Sequence, residues 1–505
     1  MIARAVGLAL SHPRYVLLCT FGLHLIVWTL LPPLVGFNLQ LDLVEDLALG
    51  KEWQLGYWKH PPLPWWTADL AFRAVGDPRA VYVLGPVASV VAMYAVWRLG
   101  KETVGPQQAL FAVLALEGLH FFNFSAVKFN HDVMQLPFWA LTGLFLFRAI
   151  TRERALDWIL AGVWLALAFW TKYTAFVLAA PIGLLLLLDP FARRTLRTAG
   201  PYLMTGAFLV VIAPHVWWLV AHSFMPFQHV GLRAKQAAHW HEYISFPLRW
   251  VGSQVFFLAP VIGLLALVWK GEQRYPQDDP VTNFARRYVT TLAIGPFLLT
   301  TLVAGALGRL PVAMWGYPLW SFAPLAAVMW FPVAIEPRRL HLFARGFLLV
   351  FLVMPAAYAA IELLEPFLRE RPKATQFPGR LIAETITRQW REKTGTPLRY
   401  VGGADFGSAG VGEFAANNIA VYSPDRPQVI VHGDARISPW VDTTDLKRRG
   451  AVLVWEQDPL PDAVTARLKV SFPNLEIQRP LVIPRQTLYP RKPAIVGYAF
   501  VPPEP

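Results

Sequence analysis

The sequence has few charged residues and almost no cysteine for its length. Of its 505 residues, 16% are charged and one, Cys19, is a cysteine. A single cysteine excludes a disulfide within the chain and a cysteine-based metal or redox site. Soluble domains carry about 25% charged residues, so this composition excludes an ordinary cytosolic enzyme and a disordered chain. Because Cys19 stands in an apolar run, we expect a buried thiol.

What the chain has in excess is apolar surface. Hydrophobic residues make up 55% of it, with 21 Trp and 33 Phe. The first uncharged run, 15–41, exceeds the roughly 20 residues that cross a bilayer, and no small-residue cleavage site follows it. Ten further runs of low charge lie at 80–97, 106–124, 133–149, 157–171, 173–189, 201–221, 250–269, 288–308, 311–335 and 346–364. The sequence predicts a polytopic membrane protein with about eleven transmembrane helices, of which 157–171 and 173–189 are short enough to be tilted or re-entrant.

The basic residues predict the orientation. With the N-terminus in the cytoplasm, the inner segments hold seventeen Lys and Arg, and the outer segments up to residue 364 hold ten. Lys and Arg concentrate on the cytoplasmic side of membrane proteins, so we expect the N-terminus inside and the C-terminus outside. Topology then accounts for most of the net charge of +13, and nucleic acid is not an expected partner.

The tail from residue 365 has a different composition, with many prolines and near-balanced charges. Apolar spacing predicts a helix over 378–394 that ends at Gly395, and Asp442 and Gly450 bracket a short helix. Short apolar runs predict strands at 398–401, 419–422, 429–431, 451–455 and 494–501. The fold prediction is therefore mostly α: a transmembrane domain over 1–364 and a small extracytoplasmic α/β domain over 365–505 that covers or shapes the outer face.

The segment 41–66 carries the densest polar chemistry on the predicted outer side. Asp42 and Glu45 are spaced to share one face of a helix. Pro61 and Pro62 then forbid regular helix and present Lys59 and His60 on a stiff loop. Acids at a membrane boundary are functional candidates. For Asp69 and Asp77, further along the loop, we expect ordinary solvated carboxylates.

Five motifs in register resemble one enzyme family. Asp42 precedes the segment Gly-Tyr-Trp-Lys-His-Pro-Pro, which begins at Gly56, by fourteen positions. The others are KFNHDVMQLPFW at 128–139, WTKYTA at 170–175, APHVWW at 213–218 and VAMWGYP at 312–318. Together they resemble the glycosyltransferase 39 type membrane enzymes, which include protein O-mannosyltransferases and lipid A aminoarabinose transferases. Where many relatives have an Asp-Glu pair, Leu43 follows Asp42 here; either Glu45 replaces the missing acid or that role is absent.

The resemblance implies a GT-C fold with an outer active site in the inner membrane. It implies a polyprenyl-phosphate-sugar donor and a lipid, glycan or protein acceptor, with membrane lipids as surroundings. Asp42 becomes the candidate base, with Asp132 and Glu45 as further catalytic candidates. Cations that neutralise the leaving phosphate are expected at Lys59, His60, Lys128 and Lys172, and further substrate contacts at Tyr57 and Trp315.

Each assignment has a structural alternative. Asp42 could serve as a helix N-cap, Lys172 could extend to the membrane interface, and Lys128 could pair with Asp132 one helical turn away. Five histidines around the segment after 201–221 match no closed zinc motif, and a polar interfacial helix is the preferred interpretation. No cofactor is required, but the resemblance leaves a divalent metal optional, with His229 as its candidate ligand. A lipid transporter or flippase without chemistry remains the rival function, although we find few mid-span charges and no evident repeat.

Overall fold

The structure is a computed structural model that describes residues 2–227, 235–269, 279–331, 333, 336–368, 372–403, 413–456 and 462–504. Helices account for most of these residues, as predicted. The helices are α1 (Ile2–Ser11), α2 (Pro13–Val35), α3 (Leu41–Gly50), α4 (Leu63–Val75), α5 (Leu84–Thr103), α6 (Pro106–Ala115), α7 (His131–Arg152), α8 (Ala155–Thr171), α9 (Phe176–Leu188), α10 (Pro190–Arg193), α11 (Gly200–Ala221), α12 (Glu242–Ala266), α13 (Pro280–Leu307), α14 (Ala323–Trp330), α15 (Pro337–Leu368), α16 (Gly379–Thr394), α17 (Glu413–Tyr422), α18 (Thr443–Arg449) and α19 (Asp462–Ser471).

The strands are short and fall mostly in the last quarter of the chain. They are β1 (Lys235–Gln236), β2 (Arg309–Leu310), β3 (Tyr400–Gly403), β4 (Gln428–Ile430), β5 (Ala451–Trp455), β6 (Glu476–Ile477), β7 (Leu481–Ile483) and β8 (Ala494–Val501). β1 and β2 form a separate antiparallel pair, and the others join in one sheet.

Within the described residues, seven helices are long and apolar enough to cross a membrane, or eight if the bent pair Tyr173–Leu188 and Pro190–Arg197 is one span. The 79° bend of that pair and the 17-residue length of α8 fit the two spans predicted to be short. The predicted number of eleven is not confirmed.

Two predicted spans are not continuous helices. The run 106–124 leaves α-helix after Ala115, where Glu117 accepts a hydrogen bond from His24 (2.9 Å) and Asn123 donates to the Glu117 carbonyl (2.7 Å). Among the described residues of the run 311–335, helix occurs in a turn at Ala313–Gly316 and in α14. Pro318 removes a backbone donor between these two elements and so disfavours a continuous helix, whereas Pro324 lies in the first turn of α14, where proline is tolerated.

The expectation of a buried Cys19 is wrong. Its side chain is exposed on α2, whose spanning stretch is only one-third buried within the protein. In a membrane helix the apolar environment can be lipid instead of protein core, so an apolar run does not by itself place a thiol inside.

The chain divides into two compact units. The first comprises Met1–Leu30, Lys59–Leu63 and Tyr82–Tyr358, and the second Leu31–Trp58, Pro64–Val81 and Ala359–Pro505. In the first unit α7 packs against α5 and α8, and α8 packs against α11. The predicted domain boundary at residue 364 stays a prediction.

The second unit contains the sheet, in the order β4-β3-β5-β8-β6, with β7 paired to β8. β3 runs parallel to both β4 and β5, and β8 is antiparallel to β5, β6 and β7. The core on β5 and β8 contains Leu453, Trp455 and Ala499, which contact Leu468 of α19.

The tail predictions are confirmed for most elements. α16 ends at Gly395, whose φ of +68° favours glycine, and the Asp442 side chain caps α18 by accepting from Thr444 and Asp445. The prediction of a strand at 419–422 is wrong, because these residues complete α17. Ala415, Ala416, Ile419 and Ala420 are all fully buried there, so the apolar run reflects a buried helix.

Candidate active site

Helix α3 carries the first pair of predicted acids in the second unit. Asp42 lies in its first turn and Glu45 follows three residues later, so both carboxylates project from one side. Both side chains are half-buried. The N-cap of α3 is Gln40, so the structural alternative that Asp42 caps the helix is wrong.

Tyr57 is enclosed in the second unit. Its hydroxyl donates to the Leu49 carbonyl (3.0 Å), and its ring meets Trp65 edge to face at 4.3 Å. Burial raises the pKa of the Tyr57 phenol well above its usual value. These contacts hold the loop after α3, and the role of Tyr57 in substrate binding stays a prediction.

Lys172 and Asp132 form the central pair of the first unit. Lys172 follows the last residue of α8, and its Nζ lies 2.7 Å from Oδ1 of Asp132 in the first turn of α7. Both side chains are about nine-tenths buried, at 9% and 12% exposure. The Asn130 side chain caps α7 by accepting from the Asp132 and Val133 amides, which fixes the turn that presents the carboxylate. The alternative that Lys172 extends to the interface as an unpaired cation is therefore wrong.

Two histidines extend this cluster. The rings of His60 and His131 lie 4.3 Å apart, and His131 Nε2 donates to the Pro61 carbonyl (3.2 Å). The positive charges of Lys59 and Lys172 both act on the His131 ring. Sequence reasoning missed His131, although it directly precedes Asp132 in the second motif.

Trp315 completes the cluster from a distant part of the chain. Lys172 Nζ stands over its ring at 5.4 Å, a cation–π arrangement. The first unit thus contains Lys59, His60, Asp132, Lys172 and Trp315. We call these five residues and His131 the Lys172 cluster.

Lys128 is placed differently. It ends the short turn Ala126–Lys128, is exposed, and acts electrostatically on His120. In the part of the chain that the structure describes, the carboxylate of Asp132 pairs with Lys172 and not with Lys128. The predicted alternative of a Lys128–Asp132 ion pair is therefore not formed.

The polar side chains beside the Lys172 cluster bond to one another. Gln135 Oε1 accepts from Trp139 (3.1 Å) and Thr174 (3.3 Å), which joins α7 to the turn after α8. Tyr173 shares a hydrogen bond of 3.2 Å with His215 of α11. The WTKYTA motif therefore supplies both the central cation and the contacts that hold its turn.

The predicted acids of the outer loop divide into two kinds. Asp77 pairs with Arg79 and is 37% exposed, as expected. For Asp69 the expectation of a solvated acid is wrong: its carboxylate is buried and accepts from Trp53 (2.8 Å) and Arg73 (2.5 Å). The bond from Trp53 joins α4 to the loop that follows α3, and the bond from Arg73 lies within α4, so the acid has a structural use.

No residues in the described ranges form a group of three or more metal-ligating side chains. His215 is committed to Tyr173, and His239 and His241 stack at 5.5 Å next to exposed Trp240. His229 lies outside the described residues. A metal site built on the described residues therefore does not fit, and we derive no chemical step through one.

The first unit thus has apolar helices whose ends carry a buried lysine–carboxylate pair. Residues 59–218, which include all of the Lys172 cluster except Trp315, match the family profile described as dolichyl-phosphate-mannose-protein mannosyltransferase. The predicted resemblance to membrane glycosyltransferases of the GT39 type and GT-C class is confirmed.

The chain is also similar to lipid A galacturonosyltransferase RgtD of Rhizobium johnstonii. The two are 28% identical over 222 residues, which are 43% of this chain and 45% of RgtD. The chain thus matches about half the length of this curated relative.

The fold resembles that of ArnT from Cupriavidus metallidurans. The crystal structure of ArnT bound to undecaprenyl phosphate superposes with a TM-score of 0.61 over 95% of this chain and 97% of ArnT, at 12% identity. The apo structure of ArnT gives a TM-score of 0.59 with the same coverage, at 10% identity. At these identities the likeness is one of fold, and it confirms the predicted fold class.

Proposed function

We propose that the protein is a membrane glycosyltransferase that transfers a sugar from a polyprenyl-phosphate donor to a lipid acceptor. The observation that carries the proposal is the Lys172 cluster: a buried lysine–carboxylate pair at the ends of apolar helices, with Lys59 and His60 half-buried in the same unit. Ionisable groups are costly to bury in such a place, and the cluster holds two lysines and two histidines against one carboxylate, so it suits an anionic substrate with a long apolar tail. The family match, the name of RgtD and the undecaprenyl phosphate bound to ArnT support the donor and acceptor classes.

The reaction breaks the bond between the anomeric carbon and the phosphate oxygen. The polyprenyl phosphate leaves with the bonding electrons, while the acceptor hydroxyl forms the new glycosidic bond and gives up its proton. Because negative charge develops on the phosphate, cations placed beside it lower the activation barrier. One such group typically raises the rate by about 10²–10³-fold. We assign this role to Lys59, His60 and Lys172 of the cluster. Lys128, which is exposed outside the cluster, is a further candidate for it, and Tyr57 and Trp315 are proposed as substrate contacts.

Asp132 has a supporting role in this proposal. Its carboxylate holds the Lys172 ammonium in place at 2.7 Å before the donor binds. When the phosphate arrives, Lys172 can be shared between the two anions without crossing into an apolar environment.

Asp42 is the proposed base for the acceptor hydroxyl, an assignment that rests on its position in the first motif. Asp42→Asn keeps the shape of the side chain but cannot accept a proton at neutral pH. We expect turnover to fall by about 10²–10⁴ with the protein still folded and inserted. The measurement is sugar transfer from a polyprenyl-phosphate donor to lipid A in proteoliposomes, followed by mass spectrometry.

Two matched variants sharpen this test. Asp77→Asn removes an exposed, ion-paired acid of the same unit and should leave turnover unchanged. Glu45→Gln tests whether the displaced glutamate has taken the second acidic role: a loss equal to that of Asp42→Asn says that it has, and a silent variant says that the role is absent. Near-normal turnover by Asp42→Asn would contradict the base assignment.

We also propose that the enzyme lies in the inner membrane with its tail in the periplasm, where a lipid A acceptor is available. Lipid and glycan mass spectrometry of cells with and without the gene tests the acceptor class. A sugar missing from lipid A supports the proposal. If the sugar were missing only from protein or from another glycan, the lipid acceptor would be contradicted. The proposed glycosyltransferase activity would still stand.

A further inference from the structure

The end of helix α15 marks a membrane boundary. Its residues 346–361 are uncharged, and Glu362 and Glu365 follow directly. Glu362 accepts from Thr375 (2.8 Å), and Glu365 pairs with Lys373 (2.7 Å). Because charged side chains collect where a spanning helix leaves the hydrocarbon, residues 362–368 belong to the headgroup level of the bilayer.

The segment 481–495, which contains β7 and the start of β8, is attached to this helix end. The Tyr489 hydroxyl donates to the Leu363 carbonyl (3.0 Å), and the Tyr489 ring stacks on Phe367. Both partners lie in the second unit, together with the sheet. The segment must therefore lie at the same depth as the last turns of α15, and tyrosine is enriched at that depth.

The segment exposes apolar side chains there. Val482 and Ile495 are paired across β7 and β8 and are 61% and 43% exposed, whereas Ile483 and Ala494 are buried. Leu488, next to Tyr489, is 68% exposed. An outward face of a water-facing sheet is normally polar, so these residues predict a partner that takes up apolar groups.

The charge of the segment indicates which partner this is. No acid occurs from residue 478 to 503, whereas Arg479, Arg485, Arg491 and Lys492 are basic. Arg485 faces Glu456, which leaves the other three as the surface cations. Arg491 extends over the Tyr489 ring at 5.8 Å, beside the attachment to α15. Apolar side chains interleaved with cations at a membrane boundary are typical of a surface that binds anionic lipids.

We propose that the segment 481–495 is a membrane-docking surface. Leu488, Val482 and Ile495 insert at the headgroup boundary, and Arg491 and Lys492 bind the headgroups of anionic phospholipids. The docking holds the sheet of the second unit at the membrane surface. This inference needs α15 to span the membrane but does not depend on the proposed transferase activity.

A fluorescent label at position 488 of the full-length protein tests the proposal. In a Cys19→Ser background, Leu488→Cys carries an environment-sensitive fluorophore, and the protein is placed in single-copy nanodiscs that contain doxyl-labelled lipid. We expect strong quenching of the label by the lipid, greater with phosphatidylglycerol present than with phosphatidylcholine alone. Arg491→Gln with Lys492→Gln should weaken docking in anionic discs by about 5-fold for each charge removed.

The matched control is Val470→Cys in the same background. Val470 is also apolar and is 83% exposed, but it lies on α19, which packs against Ala499. Ala499 is four residues along β8 from Ile495, about 13 Å away along the strand. Equal quenching at 470 and 488, or no quenching at 488, would overturn the proposal. So would shielding of position 488 that needs two copies in one disc or an added soluble protein, because the occupant would then be another chain.

Discussion

The first unit tolerates the buried charge of Lys172 because an opposite charge, that of Asp132, lies next to it. The Lys172 ammonium and the Asp132 carboxylate are both about nine-tenths buried, and neither could be held there alone at modest cost. His24 and Glu117 are a second pair of buried ionisable side chains in this unit, joined by a hydrogen bond of 2.9 Å. Burial of charge is therefore not sufficient to identify a functional residue, and the pair at Lys172 needs a test that separates stability from activity.

A double-variant cycle supplies that test. Lys172→Met leaves a buried, unpaired carboxylate and should lower the free energy of unfolding by about 3 kcal/mol. Lys172→Met combined with Asp132→Leu removes both charges and should recover most of that loss, measured as the thermal midpoint in detergent. If Lys172 neutralises the leaving phosphate, turnover stays at least about 10²-fold low in both variants. Recovery of turnover along with stability would assign the pair a structural role only.

Glu456 makes the stability of the sheet dependent on pH. It follows β5, and burial raises its pKa from 4.5 to about 7, against the opposing effects of Arg485 and a hydrogen bond from the Ala415 amide. The folded state then binds the proton more tightly than the unfolded chain. The stabilisation is complete below about pH 4.5 and is lost as the pH rises through about 7.

Glu456→Gln removes this titration. We expect the variant to be more stable than the parent at pH 8, by up to about 3 kcal/mol, and nearly equal to it at low pH. The measurement is the temperature at which the tail becomes sensitive to protease, at both pH values. An equal gain in stability at both pH values would contradict this. The destabilisation by Glu456 would then come from burial of its polar atoms and not from its ionisation.

At the scale of elements, helices in the first unit approach closely where a glycine permits it. A Cβ on Gly162 of α8 would lie 2.2 Å from the Met204 carbonyl oxygen of α11, a backbone atom that cannot turn aside. Small residues at such contacts are the usual basis of helix association in membranes, where lipid tails remove the hydrophobic driving force. The α8–α11 contact in turn supports the WTKYTA turn that follows α8.

Gly162→Ala should therefore push α8 and α11 apart. We expect a loss of about 1–3 kcal/mol of stability, with reduced turnover because Lys172 moves with the end of α8. Gly206→Ala is the matched control: it is a glycine of α11 with nothing within 4 Å of an added Cβ. Thermal midpoints in detergent report the difference, and equal midpoints for the two variants would show that the helices separate freely at this contact.

At the scale of the whole molecule, the orientation of the chain determines which compartment receives the product. The count of seventeen inner against ten outer Lys and Arg predicts an external C-terminus. A reporter that is active only in the cytoplasm should be inactive when fused after Pro505. The same reporter fused after Arg197, in a predicted inner segment, should be active, and a strong signal from the C-terminal fusion would reverse the orientation.

Composition, charge distribution and motif spacing were sufficient to predict the membrane class, the α/β tail and the family resemblance. These properties are local or additive: a bilayer selects long apolar runs, and caps such as Asp442 or stops such as Gly395 act within a few residues. The same local signals failed where burial was the deciding quantity. The apolar run at 419–422 is equally compatible with a strand and a buried helix, and Asp69 has the same sequence character as the solvated Asp77.

Only the tertiary structure decided which charges meet. Asp132 pairs with Lys172, forty residues later, and not with Lys128, four residues earlier, because α8 returns along α7 and brings its end to the first turn of that helix. The addition of His131 and Trp315 to the same cluster depends on the same packing. The sequence identifies residues that are costly to bury. The partner that offsets the cost of burial is selected by long-range packing, which no local pattern encodes.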